Sequence, residues 1–326
     1  MLVSCDAGTP RQPAGPGQAP PLARLTLRAG EVAALALDDI DWRAREIIVH
    51  GKRAPQRAGP GSLTRPDTLR MMIMHNCYAP YVEGAVISVK SEPEVRRQLV
   101  HACRGLGAFG MGDLVGGGHI SARLPGADAC ISHVFDRALT EITPDDVVKV
   151  SFDGTVSSPG RQASAGLSFH KSIYEHRPDV NAVVHAHAPW ITAQSAFGRA
   201  PRMWNNHATL FAARDCAISP DGLLESIAPA LRDKSTVIIP WHGAVTVGAD
   251  IEIAAALHLL LEWVCRLDVM LSGTPASPMP DESVAEMRGL LDKVPLLEET
   301  WSLIERRGSQ SLAVDKSAWM AGKAQL

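Results

Sequence analysis

The 326-residue chain lacks any C-x-x-C pair; Cys5, Cys77, Cys103, Cys130, Cys216 and Cys265 are scattered along it. A chain of this length buries a core without covalent staples, so these are expected to be reduced thiols of a cytoplasmic protein. No run of 18 apolar residues exists, so no membrane-spanning helix and no membrane partner are expected. The first 21 residues lack a basic segment followed by an apolar run, so no signal peptide is expected. Neither sign of charge dominates: 32 basic and 35 acidic residues leave a net −3. That gives no footprint for nucleic acid and no strong steering field. Internal repeats and glycine-rich nucleotide loops are also missing. What remains is ordinary globular composition, 46% hydrophobic and 21% charged. The length suits one large domain or two ordinary ones.

Residues 1–23 are rich in Pro, Gly and Ala, a composition that cannot offset its ordering entropy, so they are expected to be poorly ordered. Residues 31–37 (EVAALAL) read as a helix and residues 47–50 (IIVH) as a strand. Residues 54–70 return to linker composition. From residue 92 the pattern becomes continuous. Helical spacing runs over 92–109, 168–175 and 251–271; strand patterns cover 129–134, 147–152, 181–187, 237–240 and 244–247. Such alternation predicts an α/β fold with a central β-sheet covered by helices. The expected organisation is an extension over 1–70, one domain over 71–300 and a loose tail over 301–326.

The chemistry-bearing signal is His185–Ala186–His187 in an apolar strand. Side chains at i and i+2 share a face, so two imidazoles are presented together. His242 ends another apolar strand, followed by Gly243, which permits a sharp turn. Three histidines and an open position make a catalytic zinc pattern. Spacing alone does not bring His242 to the other two.

Three blocks carry a resemblance to the class II aldolase/adducin family, over residues ~92–272. Gly118–His119–Ile120–Ser121–Ala122–Arg123 resembles the family's G-N-[IVL]-S-x-R. Residues 170–187 (HKSIYEHRPDVNAVVHAH) resemble H-x-x-I-Y-x-x-R-P-D-V-x-A-V-V-H-T-H almost continuously. His242–Gly243–x–Val245–x–Val247–Gly248, with Glu262 on the following helix, resembles N-H-G-x-x-x-x-G and its trailing helix. The resemblance implies a three-layer αβα domain, a homotetramer, a small-molecule substrate and a divalent metal on His185, His187 and His242. Zinc is the first expectation and manganese the second.

The departures redirect the expectation. Sugar-phosphate aldolases of the family carry a glutamate four residues before the helix histidine; here Gly166 stands four before His170. The asparagine of G-N-x-S, a phosphate ligand, is His119. A non-phosphorylated hydroxy-acid or hydroxy-aromatic acid is therefore expected, cleaved by decarboxylation or retro-aldol reaction. His119, Arg123 and His170 are the candidate catalytic residues. Arg123 has an alternative, pairing inside the fold, and His170 has ordinary helix packing. His133 is a lesser candidate, His207 reads as a loop histidine and His258 as a structural one, while Trp190 and Trp241 flank the ligand candidates. The rival is a non-catalytic adducin-like scaffold, which Gly166 favours and the three histidines oppose. Separately, residues 25–57 resemble the start of a tyrosine recombinase (phage integrase) catalytic domain, with Arg28 and Lys52 at its arginine and lysine positions. No later His-x-x-Arg element or tyrosine nucleophile follows, so a non-functional fragment is expected.

Overall fold

The computed structural model describes residues 90–323, apart from 125, 158–159 and 165, together with three short strands upstream. The chain divides into two units, Met1–His75 and Asn76–Leu326. In the first, β1 (Ile40–Asp41), β2 (Glu46–His50) and β3 (Thr68–Met72) form an antiparallel sheet in that order. The strand expected at 47–50 is thus present. The linker expected over 54–70 ends early, because Leu69 and Met71 pair with Val49 and Ile47. The Pro- and Gly-rich composition stops at Pro66, so a boundary at residue 70 falls inside a strand. Residues 1–23, the helix expected at 31–37, and Arg28 and Lys52 lie outside the described residues.

The second unit is built on seven strands. These are β4 (Gly118–Arg123), β5 (Ala129–His133), β6 (Val147–Ser151), β7 (Ala182–Ala186), β8 (Cys216–Ile218), β9 (Thr236–Ile239) and β10 (Gly243–Gly248), in sheet order β6-β5-β4-β7-β10-β9-β8. Every pairing is antiparallel except β8 with β9. β7 therefore lies at the centre, between β4 and β10, and it is buried along its whole length.

Helices cover both faces, giving the expected three layers. On one face lie α1 (Glu92–Gly107), α3 (Pro189–Ser195), α5 (Ile251–Leu271), α6 (Asp281–Leu291) and α7 (Leu296–Lys323); on the other lie α2 (Leu167–His176) and α4 (Leu224–Leu231). Alternation along each strand splits the core accordingly. Val184 and Ala186 join the α1/α5 core, while Val183 joins the α2/α4 core. α5 begins where the Asp250 carboxylate accepts the Ile253 N–H, at 3.0 Å. It buries Ala254, Leu257, Leu261, Val264 and Cys265 along a 3.6-residue stripe. α2 stops at Arg177, because a residue before proline leaves the α region. Cys103, Cys130, Cys216 and Cys265 are free and buried, and burial pushes the Cys130 and Cys216 thiols up to about 12.

Of the loose tail expected over 301–326, the described residues, up to Lys323, belong to helix α7, which packs on α1 and α5. Trp301 and Ile304, three residues apart, are both buried. Gly308 lies within this helix. In the fold it is a point of close approach: a Cβ there would meet the His101 carbonyl oxygen at 2.6 Å. Gly105 on α1 leaves matching room for the Ile304 backbone. The two glycines let the helices lie nearly backbone to backbone.

Candidate metal centre

Strand register assembles the site. In the β4–β7 ladder His119 is the direct partner of His185, and in the β7–β10 ladder His185 faces Val245. His185 is buried within β7, and His187 follows one residue past its end, where its N–H donates to the Gly117 carbonyl at 2.7 Å. His242 comes from the turn between β9 and β10. Trp241, just before it, adopts the left-handed region with φ 57°, a conformation rare outside glycine. This tight reversal brings His242 onto His187, with their Nε2 atoms 2.8 Å apart.

The ligand atoms of His185, His187 and His242 all lie within 4.8 Å of one another. His185 Nδ1 is 2.9 Å from the Ala244 carbonyl oxygen. A carbonyl only accepts, so Nδ1 carries the proton and Nε2 keeps its lone pair. Burial lowers the basicity of all three imidazoles, most strongly for His185, and neighbouring imidazoles lower His185 and His187 further. They are therefore neutral at pH 7, the form that binds a metal. His185 is buried, His187 exposed and His242 partly exposed, so the cluster is open on one side. A set of three neutral imidazoles with an open side fits a catalytic divalent cation.

Beside the triad a second polar group is built. The His119 ring centroid lies 4.9 Å from that of His185. His119 Nδ1 is 2.8 Å from His170 Nε2, His170 Nδ1 is 2.7 Å from Ser121 Oγ, and Ser121 Oγ is 2.7 Å from the Tyr174 hydroxyl. All four side chains are buried. Burial pushes His170 down to about 3, His119 well below the usual histidine range and Tyr174 well above the usual tyrosine range. The whole chain of groups is therefore uncharged at neutral pH.

Gly166 explains why this arrangement fits. Its backbone, φ −62° and ψ −15°, is ordinary helical geometry open to any residue. A Cβ there would meet His119 Cε1 at 2.7 Å and Cδ2 at 3.1 Å, with Nε2 nearer still. Glycine stands at this position for space, and the His119 imidazole fills it.

The structure brings His119 and His170 to the triad but not Arg123. Four residues along β4 place Arg123 about 13 Å from His119. Its guanidinium donates to the carbonyls of Tyr174 (2.6 Å), Val180 (3.3 Å) and Arg177 (3.5 Å) and stacks 4.8 Å above the Tyr174 ring. From β4 it holds the end of α2 and the connection to β7, the pairing inside the fold that was its alternative reading. His133 makes no hydrogen bond in the His119–His170–Ser121–Tyr174 chain, although it lies near enough to lower the basicity of His119 and His170. Its strand neighbour Ser132 pairs with Ser121, so alternation turns His133 to the opposite sheet face from His119. His258 sits 3.1 Å from Thr246 Oγ1 at the α5 face, and His207 opens a 3-10 turn, His207–Phe211. Glu262 accepts the backbone N–H groups of Trp190 and Ile191, at 3.0 Å and 2.8 Å, and so holds the segment that follows His187. Ser121 and Tyr174 lie inside the quoted blocks, but only the 170/174 helical spacing hints at their role.

Comparison with known proteins agrees with this geometry. The class II aldolase and adducin N-terminal domain matches residues 97–269. A 4-hydroxy-3-prenylphenylpyruvate oxygenase/4-hydroxy-3-prenylbenzoate synthase of Streptomyces roseochromogenus subsp. oscitans is 30% identical over 50% of this chain and 62% of its own length. The chain thus spans under two thirds of that relative. A 3,4-dihydroxyphthalate decarboxylase of Arthrobacter keyseri is 26% identical over 64% of this chain and 91% of its own. Among solved structures, the L-fuculose 1-phosphate aldolase from Glaciozyma antarctica PI12 superposes with a TM-score of 0.61 at 26% identity, over 66% of this chain and 88% of its own. With its sheet, histidine triad and matched domain, the chain belongs to the class II aldolase and adducin family.

Proposed function

We propose that the protein is a metal-dependent decarboxylase of a small, non-phosphorylated hydroxy-aromatic acid. The carrying observation is the exchange at Gly166, where the His119 imidazole fills the space a longer side chain would need. The groups gathered at the triad are imidazoles, and none of them is a carboxylate. A retro-aldol step needs a base to remove a hydroxyl proton. Decarboxylation starts from an ionised carboxylate, which an additional carboxylate in the wall would repel. When CO2 leaves, the electron pair of the broken C–C bond stays on the ring carbon, and a proton must return there. Similarity to a dihydroxyphthalate decarboxylase supports the same substrate class.

His185, His187 and His242 would hold the cation; zinc is the first choice for an all-imidazole set and manganese the second. A bound divalent cation supplies Lewis acidity toward a substrate oxygen. His119, beside His185, would contact substrate through its small exposed part, with His170 behind it. Trp241, 77% exposed next to His242, offers a flat apolar surface suited to an aromatic ring. The assembly expected is a homotetramer. Among the described residues no helix is long and apolar enough to cross a membrane.

The test is CO2 release by the full-length chain loaded with zinc or manganese. The substrates are 4-hydroxybenzoate, 3,4-dihydroxybenzoate and a dihydroxyphthalate. Metal-dependent release from at least one, abolished by His187→Ala, is expected. No release from any of them by a metal-loaded chain would overturn the reading. A folded chain that takes up no metal would favour the scaffold alternative.

A further inference from the structure

The three ligand candidates are not held alike. His185 sits inside the central strand, with ladder partners on both sides. His187 lies one residue past the end of β7, and His242 lies one residue before β10 begins. The His187 N–H donates to the Gly117 carbonyl at 2.7 Å, and the His242 N–H to the Ile239 carbonyl at 3.1 Å. A ligand held at so few points must be ordered when a metal binds, and that ordering costs affinity.

Helix α3 supplies a second hold on both. It starts at Pro189, two residues after His187, and packs on β10 and α5. From its first turn, Thr192 Oγ1 donates to the His242 carbonyl at 3.3 Å. The Thr192 N–H donates to the Ala188 carbonyl at 2.8 Å, so the place of that hydroxyl depends on where α3 starts. One short helix is thus joined to His187 through the chain and to His242 through a hydroxyl.

α3 does not fix its own start. Ala188, at its N-cap, has no side chain to accept a first-turn N–H, and Pro189 has no N–H to offer. The Trp190 and Ile191 N–H groups are taken instead by Glu262 of α5. Its two carboxylate oxygens lie 3.0 Å and 3.1 Å from the Trp190 nitrogen, and the second lies 2.8 Å from the Ile191 nitrogen. Arg266, one turn further along α5, lies 5.7 Å from the Trp190 ring centroid. Glu262 is buried and is not one of the clustered ligand groups, so it reaches the metal centre through α3.

We propose that Glu262 and Thr192 are positioning residues for the metal centre: Glu262 fixes the start of α3, Thr192 carries that position to His242, and together they set the spacing of His187 and His242 and so the affinity for a divalent cation. This rests on the triad being a metal site, and not on the reaction the metal serves. Removing the Thr192 hydroxyl leaves every ligand atom in place and frees the turn that carries His242. Glutamine at position 262 keeps the shape but sets an amide NH2 against a backbone N–H whichever way it turns.

The experiment uses the full-length chain, stripped of metal and titrated with zinc against a chromophoric chelator. A second sample is loaded with cobalt(II), whose visible spectrum reports the arrangement of its ligands. Thr192→Val and Glu262→Gln are each expected to weaken zinc binding about tenfold or more and to alter the cobalt spectrum, at unchanged circular dichroism. Thr192→Ser keeps the hydroxyl and is expected to bind zinc as the parent does. A merely structural role would lower the urea midpoint of the metal-free variants and leave zinc affinity and cobalt spectrum unchanged. That result in either Thr192→Val or Glu262→Gln overturns the proposal, and so does an equal loss of affinity in Thr192→Ser and Thr192→Val. If Glu262→Gln does not fold, the two Thr192 variants decide. A folded parent that takes up neither zinc nor cobalt sinks the metal reading and this role with it. A parent that binds zinc beside unchanged variants sinks the positioning role alone.

Discussion

Gly166→Ala is the sharpest perturbation available. Because Gly166 has helical dihedrals, alanine has no backbone objection there, and losing glycine's unfolded-state freedom contributes about 0.4–1 kcal/mol of stability. Packing opposes it. The new Cβ would stand 2.7 Å from His119 Cε1, where carbon contacts ordinarily need ~3.5–4.0 Å. The ring must move by about 1 Å, which takes its 2.8 Å contact with His170 beyond hydrogen-bond range. A buried polar group left unpaired costs about 1–3 kcal/mol. Overpacking adds about 1–3 kcal/mol. The net expectation is a loss of roughly 1–5 kcal/mol, near 3 at the centre. At ~2–4 °C per kcal/mol for a domain of this size, the melting temperature should fall by about 10 °C. The decisive assay is urea unfolding in a double-mutant cycle with His119→Ala, which removes the object of the clash. Gly166→Ala should then be neutral or stabilising. An equal loss in both backgrounds, or no loss in the parent, would refute the steric argument.

Other outcomes follow from the same geometry. His170 and His258, held down to about 3 and about 4 by burial, stay neutral in the folded chain while the unfolded chain protonates them near 6.5. Stability should therefore be fully present above pH 6.5 and fall with decreasing pH toward pH 4, by up to about 1.4 kcal/mol per pH unit per histidine; urea midpoints across pH 4.5–7.5 read this, and a flat profile contradicts it. Arg123→Met should cost about 1–3 kcal/mol by freeing carbonyls at the end of α2, while turnover per folded molecule changes less than tenfold. A collapse of turnover at full stability would return Arg123 to the substrate. Gly308→Ala should destabilise, although alanine gains about 1 kcal/mol over glycine in an exposed helix, because its Cβ meets the His101 carbonyl at 2.6 Å. Thermal unfolding gives the sign.

The layers of the fold were legible because their signals are local. α5 was expected at residues 251–271, where it lies, since a long apolar stripe admits no other period. His185 and His187 were readable as a pair because strand alternation is a two-residue rule. Partnership across the sheet was not readable. That His119 stands opposite His185 depends on β4–β7 register, a long-range choice. Arg123 and His119 sit on the same strand face within one motif, yet four residues of rise separate a structural tie from a site group. Gly308 and Gly166 show the same limit for glycine. Sequence gives the missing side chain; only packing tells whether a helix backbone or an imidazole takes the space. The short strand β8, Cys216–Ile218, carries too few residues for a period to register.

The central claim is that His185, His187 and His242 form a metal centre, and elemental analysis of the purified full-length chain tests it most directly, beside a His185→Ala/His187→Ala variant. The account predicts about one zinc or manganese per parent chain and none in the variant. A folded parent that binds neither metal, even after incubation with excess of each, would contradict it.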